Sequence, residues 1–449
     1  MLGVFDASCV VIGAIIGVGI FFTPSKIVTL TGSGGVALLA WAVAGVIALC
    51  GAFVFAELGS RFNAAGAQYE ILRRTYGPMV AFMFVFCNAT AIQAGAAAII
   101  AAVCVMNVAA AMGLEAPSGW RLVALSSLLI AAVTGANVWG VKAGSRLQNI
   151  TVVSKLITLL AVVGCAVMAT LGWETAGGDV PEAPLQTTLS PVMGIMASLS
   201  IAFFAYGGWQ HALWISGEVK NPERTLPTAI LGGVGIVIVV YLLANWAYLQ
   251  LLGDSGVSSS QTLAADAVGA VWPSYGRRVI AGAVAFSALG VLNAQLLSGP
   301  RLVYRMATEG QFFRVFGRVS RSGTPVAAIV LIGVMAIALF AAAGFDAVDK
   351  LTSGVVFIDG IFFALTATCL LVERRRERLT GGGQTGEVRR IYRAPFHPFA
   401  PVVFIAGELA LLTGAYFDAG LRAAAWIGLA WVAASVVLYA AVFRKAATS

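Results

Sequence analysis

The sequence predicts an all-α polytopic membrane protein with twelve transmembrane helices, arranged as two five-span halves and two trailing spans. Three observations predict it. Hydrophobic residues make up 59% of the 449 residues and charged residues only 11%, against about 25% charge in a soluble domain. Apolar runs near the roughly 20 residues that span a bilayer recur along the chain. Two of these runs, the first of each half, are interrupted by glycines in mid-span, a pattern that marks ligand sites built on broken membrane helices.

The runs lie near 4–24, 34–57, 79–112, 121–140, 147–172, 190–214, 228–252, 277–300, 325–343, 351–373, 398–417 and 422–443. The third is long enough to tilt or to extend past the bilayer. Between the second and third, the stretch around Tyr69 to Tyr76 is compatible with a short interfacial helix. Residues 1–172 form the first five-span half and 190–373 the second. Residues 173–189 are rich in glycine, proline and acid and form an outer linker. Residues 374–397 form a basic cytoplasmic loop turning at Gly381-Gly382-Gly383, and 398–449 hold the last two spans and the tail.

The net charge of +8 follows the positive-inside rule rather than any affinity for nucleic acid. One side gathers Arg61, Arg73, Arg74, Lys142, Arg146, Lys220, Arg224, Arg301, Arg305, Arg314, Arg318 and Arg321. The same side holds the arginines of 374–393, with Arg444 and Lys445. The other side has only Lys26, Arg121, Arg277, Arg278, Lys350 and Arg422. Both termini are therefore expected in the cytoplasm, with the protein in the cytoplasmic membrane. No basic segment precedes the first span, so no cleaved leader is expected. The arginines of the 374–394 loop either attract anionic lipid or serve only to fix topology. The six cysteines fall within predicted spans without metal-ligand spacing, so free thiols are expected and neither metal nor cofactor is. Two histidines and no clustered Cys, His, Asp or Glu argue against an enzyme. No charged or carbonyl ring suits a channel filter.

The first break reads Ile12-Gly13-Ala14-Ile15-Ile16-Gly17-Val18-Gly19-Ile20-Phe21; the second reads Phe203-Phe204-Ala205-Tyr206-Gly207-Gly208-Trp209. A broken helix offers unpaired N–H groups at one new end and carbonyls at the other. A zwitterion carrying a carboxylate and an ammonium on one carbon matches such a pair. The candidate site is thus the backbone of Ile15, Ile16, Gly17, Val18 and Gly19 with Phe204, Ala205 and Gly207. The amides of 17–19 face the carboxylate; carbonyls near Ile15, Phe204 and Gly207 face the ammonium. The competing reading is close helix packing through small residues.

Longer strings carry a family resemblance. Gly17-Val18-Gly19-Ile20-Phe21, Ala56-Glu57-Leu58, Ala65-Gly66-Ala67-Gln68-Tyr69 and Phe204-Ala205-Tyr206-Gly207-Gly208-Trp209 are among them. So are Gly217-Glu218-Val219-Lys220-Asn221-Pro222, Ser287-Ala288-Leu289-Gly290-Val291-Leu292-Asn293 and Tyr392-Arg393-Ala394-Pro395. Together they resemble the amino acid–polyamine–organocation transporters over nearly the whole length. The nearest branch is the L-type amino acid transporters, with the bacterial serine/threonine and alanine/serine/cysteine exchangers. The resemblance implies the leucine-transporter-type fold, two inverted five-span repeats with helices 1 and 6 broken. It implies substrate carboxylate at the first break, ammonium on carbonyls of both breaks, and Phe204 as an aromatic gate. Val18 departs from the family's usual serine, which removes a hydroxyl but keeps the N–H. Ala67 and Gln68 depart from the usual Gly-Gly-x-Tyr. Human L-type relatives join a heavy subunit through a cysteine between spans 3 and 4; the loop Gly113–Trp120 has none, so no disulfide-linked partner is expected.

Ionisable residues inside spans are functional suspects. Lys155 lies in span 5. Either it snorkels to the inner face, or, as the resemblance implies, it occupies the region where sodium-coupled relatives bind their ion, bridging carbonyls near Gly13 to the Ser287 hydroxyl. Tyr241 in span 7 either, as the resemblance implies, couples substrate to that region, or packs with its hydroxyl satisfied locally. His211 either titrates or packs neutral. Asp359 and Glu408 fall in or near spans 10 and 11; Asp359 either carries a proton or caps a helix. Glu57 and Glu218 either pair with loop arginines as an inner gate or are solvated. The expectation is a sodium-independent exchanger of neutral L-amino acids working by alternating access. The alternative is a proton-coupled symporter or exporter with Asp359 or His211 as proton site.

Overall fold

The computed structural model describes residues 3–62, 67–139, 145–172, 185, 187–214, 216, 219–273, 275–320, 323–344, 347–379 and 391–443, with only the backbone of 145–150 and 347. The linker 173–184, Glu218 and the triple glycine 381–383 lie outside these residues. Among the described residues every regular element is helical. In chain order they are α1 (Val4–Ile15), α2 (Thr23–Thr31), α3 (Gly34–Arg61), α4 (Ala67–Tyr76), α5 (Pro78–Cys87) and α6 (Gln93–Ala111). There follow α7 (Gly119–Val138), α8 (Ser145–Thr170), α9 (Pro191–Tyr206), α10 (His211–Trp214), α11 (Pro222–Ser259) and α12 (Leu263–Val271). The last are α13 (Tyr275–Thr308), α14 (Val326–Ala343), α15 (Ala347–Leu379), α16 (Phe399–Gly414) and α17 (Ala419–Leu438).

Ten helical segments are long and apolar enough to cross a membrane, and α1 and α16 are shorter apolar helices. Their outward faces carry large apolar side chains such as Leu128, Leu160, Ile427 and Val437, which only a hydrocarbon solvent accommodates at this density. The third predicted run is one continuous rod, α5 and α6 joined through a π-helical turn at Asn88–Ile92. The Trp431 indole N–H donates to Thr90 Oγ1 at 2.8 Å and ties α17 to that turn. The expected interfacial helix is α4, whose Glu70 pairs with Arg73 and Arg74. The helix α12 was not anticipated. Its N-terminal Asp266 accepts from Ser260, Thr262 and Arg277, a local capping that hydropathy does not encode.

Spans 1 and 6 are broken, and the dihedrals say how. At Ile16 (φ −71°, ψ 77°) the chain makes an inverse γ-turn, and Gly17 N–H donates back to Ile15 O at 2.7 Å. A short 3₁₀ turn at Gly19–Phe21 leads into α2. The first span therefore continues to Thr31, beyond the predicted end near 24. In span 6, α9 stops at Tyr206; Gly207 is extended (ψ 160°) and Gly208 takes φ +125°.

Both breaks are held by helices packed around them. The helix α1 lies on α8 and α11, α3 lies on α9, α11 and α16, and α6 lies on α13 and α14. Two ion-paired latches join α15 to the other elements. At one end, Lys26 of α2 meets Asp349 at 3.2 Å. At the other, the fully buried Glu57 of α3 accepts from Arg61, from Arg374 and, at 2.7 Å, from the Ala394 amide, while Arg61 also pairs with Glu377. Glu57 is thus paired rather than solvated.

Candidate functional site

A cavity of about 100 Å³ lies between the two breaks. Ala14, Ile15, Gly17, Val18 and Gly19 line one wall, and Phe203, Phe204, Gly207, Gly208, Gln210 and His211 another. Side chains of α6, α13 and α15, with Glu408 of α16, line the rest. A larger recess of about 320 Å³ sits between α6, α12 and α13, but its carboxylate, Asp266, is already engaged by Ser260, Thr262 and Arg277.

Of the three amides expected to face a carboxylate, that of Gly17 is spent on Ile15 O at 2.7 Å and those of Val18 and Gly19 are left. Among the described residues, no acceptor meets the Val18 or Gly19 N–H, because the γ-turn diverts the helix ladder before them. Unpaired amides in an apolar site are costly unless something accepts from them. Unpaired N–H groups beside the start of the next helical turn leave donor capacity on this wall.

Of the carbonyls expected to face an ammonium, those of Ile15, Phe204 and Gly207, only that of Ile15 has a donor among the described residues. Ile15 O accepts from Gly17 N–H and, at 3.0 Å, from the Tyr241 hydroxyl. Ala205 O lies 3.1 Å from the same hydroxyl and shares its single hydrogen, and Phe203 O accepts from Gly207 N–H. Tyr241 therefore bridges the two broken helices. The Gly13 carbonyl, left without its usual partner because Gly17 N–H turns to Ile15, accepts from Lys155 Nζ at 3.1 Å. Lys155 is 2% exposed and reaches inward, so the snorkelling reading fails. The second half of the expected bridge is not made: the buried Ser287 hydroxyl has no partner among the described residues.

Ile16 and Ala205 do not line the cavity. Ile16 is buried at the pivot of the γ-turn, and Ala205 packs on Gly19. A β-carbon built on Gly19 would fall 2.8 Å from Ala205 Cα, whereas one on Gly17 meets nothing nearer than 3.9 Å. Gly19 thus serves the packing reading as well as the ligand reading. The position that most strictly needs glycine is Gly208: its positive φ excludes most side chains, and a β-carbon would sit 2.5 Å from Ala14 O. Phe204 is half-buried, lines the cavity, and meets the Phe22 ring edge-on at 5.7 Å. Sequence reasoning did not single out Gly208, Phe22, Gln93 or Gln295 as site residues. The glutamines line the cavity, and a polar residue inside an apolar run was the available signal. Trp209 is fully buried, stacked on Phe363 and edge-on to Phe55 and Phe404. His211 stacks on Trp214 with centroids 4.2 Å apart.

Residues 2–443 match the family model described as amino acid permease. The chain belongs to that family. It is 28% identical to mouse "b(0,+)-type amino acid transporter 1" over 426 residues, covering 92% of this chain and 81% of the relative. It is 29% identical to the "Serine/threonine exchanger SteT" of Bacillus subtilis over 426 residues, covering 92% and 90%. Against the rat "Large neutral amino acids transporter small subunit 2" it is 28% identical over 385 residues, covering 83% and 70%. The permease is accordingly an amino acid transporter of the amino acid–polyamine–organocation superfamily, with relatives in its L-type branch.

Proposed function

We propose that this permease exchanges small neutral L-amino acids across the cytoplasmic membrane without sodium. The observation that carries the reading is the pair of free amides, Val18 and Gly19, beside a cavity between two broken helices. They suit a substrate carboxylate, and the cavity's modest volume suits a short side chain. The Lys155 ammonium supports sodium independence, because it already occupies the carbonyl that the break frees. A second cation about 4 Å away would be repelled by about 4 kcal/mol at an effective dielectric of 20. The reading includes twelve spans in two inverted repeats with both termini cytoplasmic, α1–α3 with α9–α11 rocking against the remainder, and no disulfide-linked partner. Counterflow in proteoliposomes tests it. With choline replacing sodium, internal unlabelled alanine should accelerate uptake of labelled alanine. A strict sodium requirement, or no acceleration, overturns it.

A further inference from the structure

The back of the cavity holds two carboxyl groups that the exchange reading does not use. Glu408 of α16 is fully buried, lines the cavity, and neither carboxyl oxygen has a hydrogen-bond partner among the described residues. Asp359 of α15 lines the same cavity and lies within electrostatic reach of Glu408. Gly360 brings the two helices together: a β-carbon there would fall 2.9 Å from Glu408 Oε2. Neither acid forms an ion pair among the described residues, although every other side of the cavity supplies lining atoms.

No other charge answers them. Of the described cavity-lining residues only His211 is also titratable, and it stacks on Trp214. The elements packed on α15 and α16 carry their charges elsewhere. Glu57 and Arg61 of α3 are in the latch with Arg374 and Glu377, and Tyr69, Glu70, Arg73 and Arg74 of α4 lie outside the cavity lining. Tyr206 of α9 donates to Trp41 O, and Arg422 of α17 to Tyr416 O. The helices α6 and α14 carry no Lys, Arg, Asp, Glu or His.

We propose that Asp359 and Glu408 form a proton-binding site at the back of the amino acid cavity, so that a proton travels with the amino acid. The proposal rests on the cavity being the amino acid site. An ionised carboxylate buried like Glu408, without donors or counter-ion, is costly, and such a group takes up a proton instead. A proton from water on one side forms an O–H bond on the pair while the cavity is open there. It leaves to water on the other side when the cavity opens that way. The cavity's volume favours a proton over the long cationic side chain of a basic substrate. During exchange the proton crosses in both directions and cancels; net uptake reveals it.

The test uses the full chain in liposomes that enclose a pH-sensitive dye and no amino acid. An inward proton gradient of about one pH unit should drive about tenfold accumulation of labelled alanine at one proton per amino acid, since each 1.4 kcal/mol is a factor of ten. A protonophore should abolish the accumulation, and adding alanine outside should acidify the lumen. In Glu408→Gln and in Asp359→Asn the ratio of gradient-driven uptake to counterflow should fall to its value without a gradient. Counterflow without lumenal acidification in the wild type overturns the proton site and leaves the exchange reading standing. Acidification without counterflow keeps the site and removes exchange. Drive by a sodium gradient, or an unchanged ratio in both variants, also overturns the proton site. If neither variant folds, wild-type acidification decides.

Discussion

Replacing Tyr241 by phenylalanine removes one oxygen and keeps the ring. That oxygen donates to Ile15 O at 3.0 Å and lies 3.1 Å from Ala205 O. It is the only polar link that the described residues make between the two breaks through a side chain of α11. The ring stays packed edge-on to Trp41 at 5.7 Å and tilted against Tyr206 at 5.2 Å, so gross folding should survive. Ile15 O keeps the Gly17 amide; Ala205 O is left without a partner. The hydroxyl has one hydrogen, shared between the two carbonyls, so the loss is that of one hydrogen bond, about 0.5–1.5 kcal/mol. If the bridge aligns the breaks, the aligned state loses about 2- to 13-fold in population. Counterflow of labelled alanine should fall by a factor within that range, with thermal unfolding lowered by only a few degrees. Wild-type exchange in Tyr241→Phe would refute the idea that the bridge aligns the site.

Three further outcomes are expected. Gly208→Ala should abolish amino acid binding in a thermal-shift assay whereas Gly17→Ala should retain it, because only the former drives a β-carbon into the Ala14 carbonyl; equal behaviour of the two refutes the geometric account. Lys155→Ala should leave the protein in the membrane but slow exchange at least tenfold, the loss of one charged hydrogen bond of about 1.5–3 kcal/mol, and its defect should not add to that of Tyr241→Phe because both hold the same end of α1; a double-mutant cycle measures this. Glu57→Ala should destabilise the protein by about 3–5 kcal/mol, since Arg374 would lose its buried carboxylate and Arg61 would keep only Glu377; an unchanged unfolding midpoint argues against a strong latch.

The membrane class and the positions of both breaks were legible in the sequence because each is a local property. Hydropathy marks a span, and Gly17, Gly19, Gly207 and Gly208 mark where a helix ladder fails. What was not legible depended on which surfaces meet. Gly208 looked equivalent to Gly207 until the Ala14 carbonyl appeared against it. The Ile15 carbonyl looked free for an ammonium, yet Tyr241, 226 positions away, fills it. Glu408 was a suspect by virtue of lying in an apolar run, but its approach to Asp359 depends on α15 and α16 packing at Gly360. The γ-turn at Ile16 leaves no hydropathy trace.

The two latches sit at opposite ends of α15, a 33-residue rod about 50 Å long, and they are unequal. Lys26 and Asp349 are 31% and 54% exposed, so their attraction is screened by salt and worth about 0–1 kcal/mol. Glu57 is fully buried against Arg61 and Arg374, which are 7% and 15% exposed, where salt reaches little. Ionic strength then becomes a one-sided throttle: raising it should hasten opening at the Lys26 end and leave the Glu57 end unmoved.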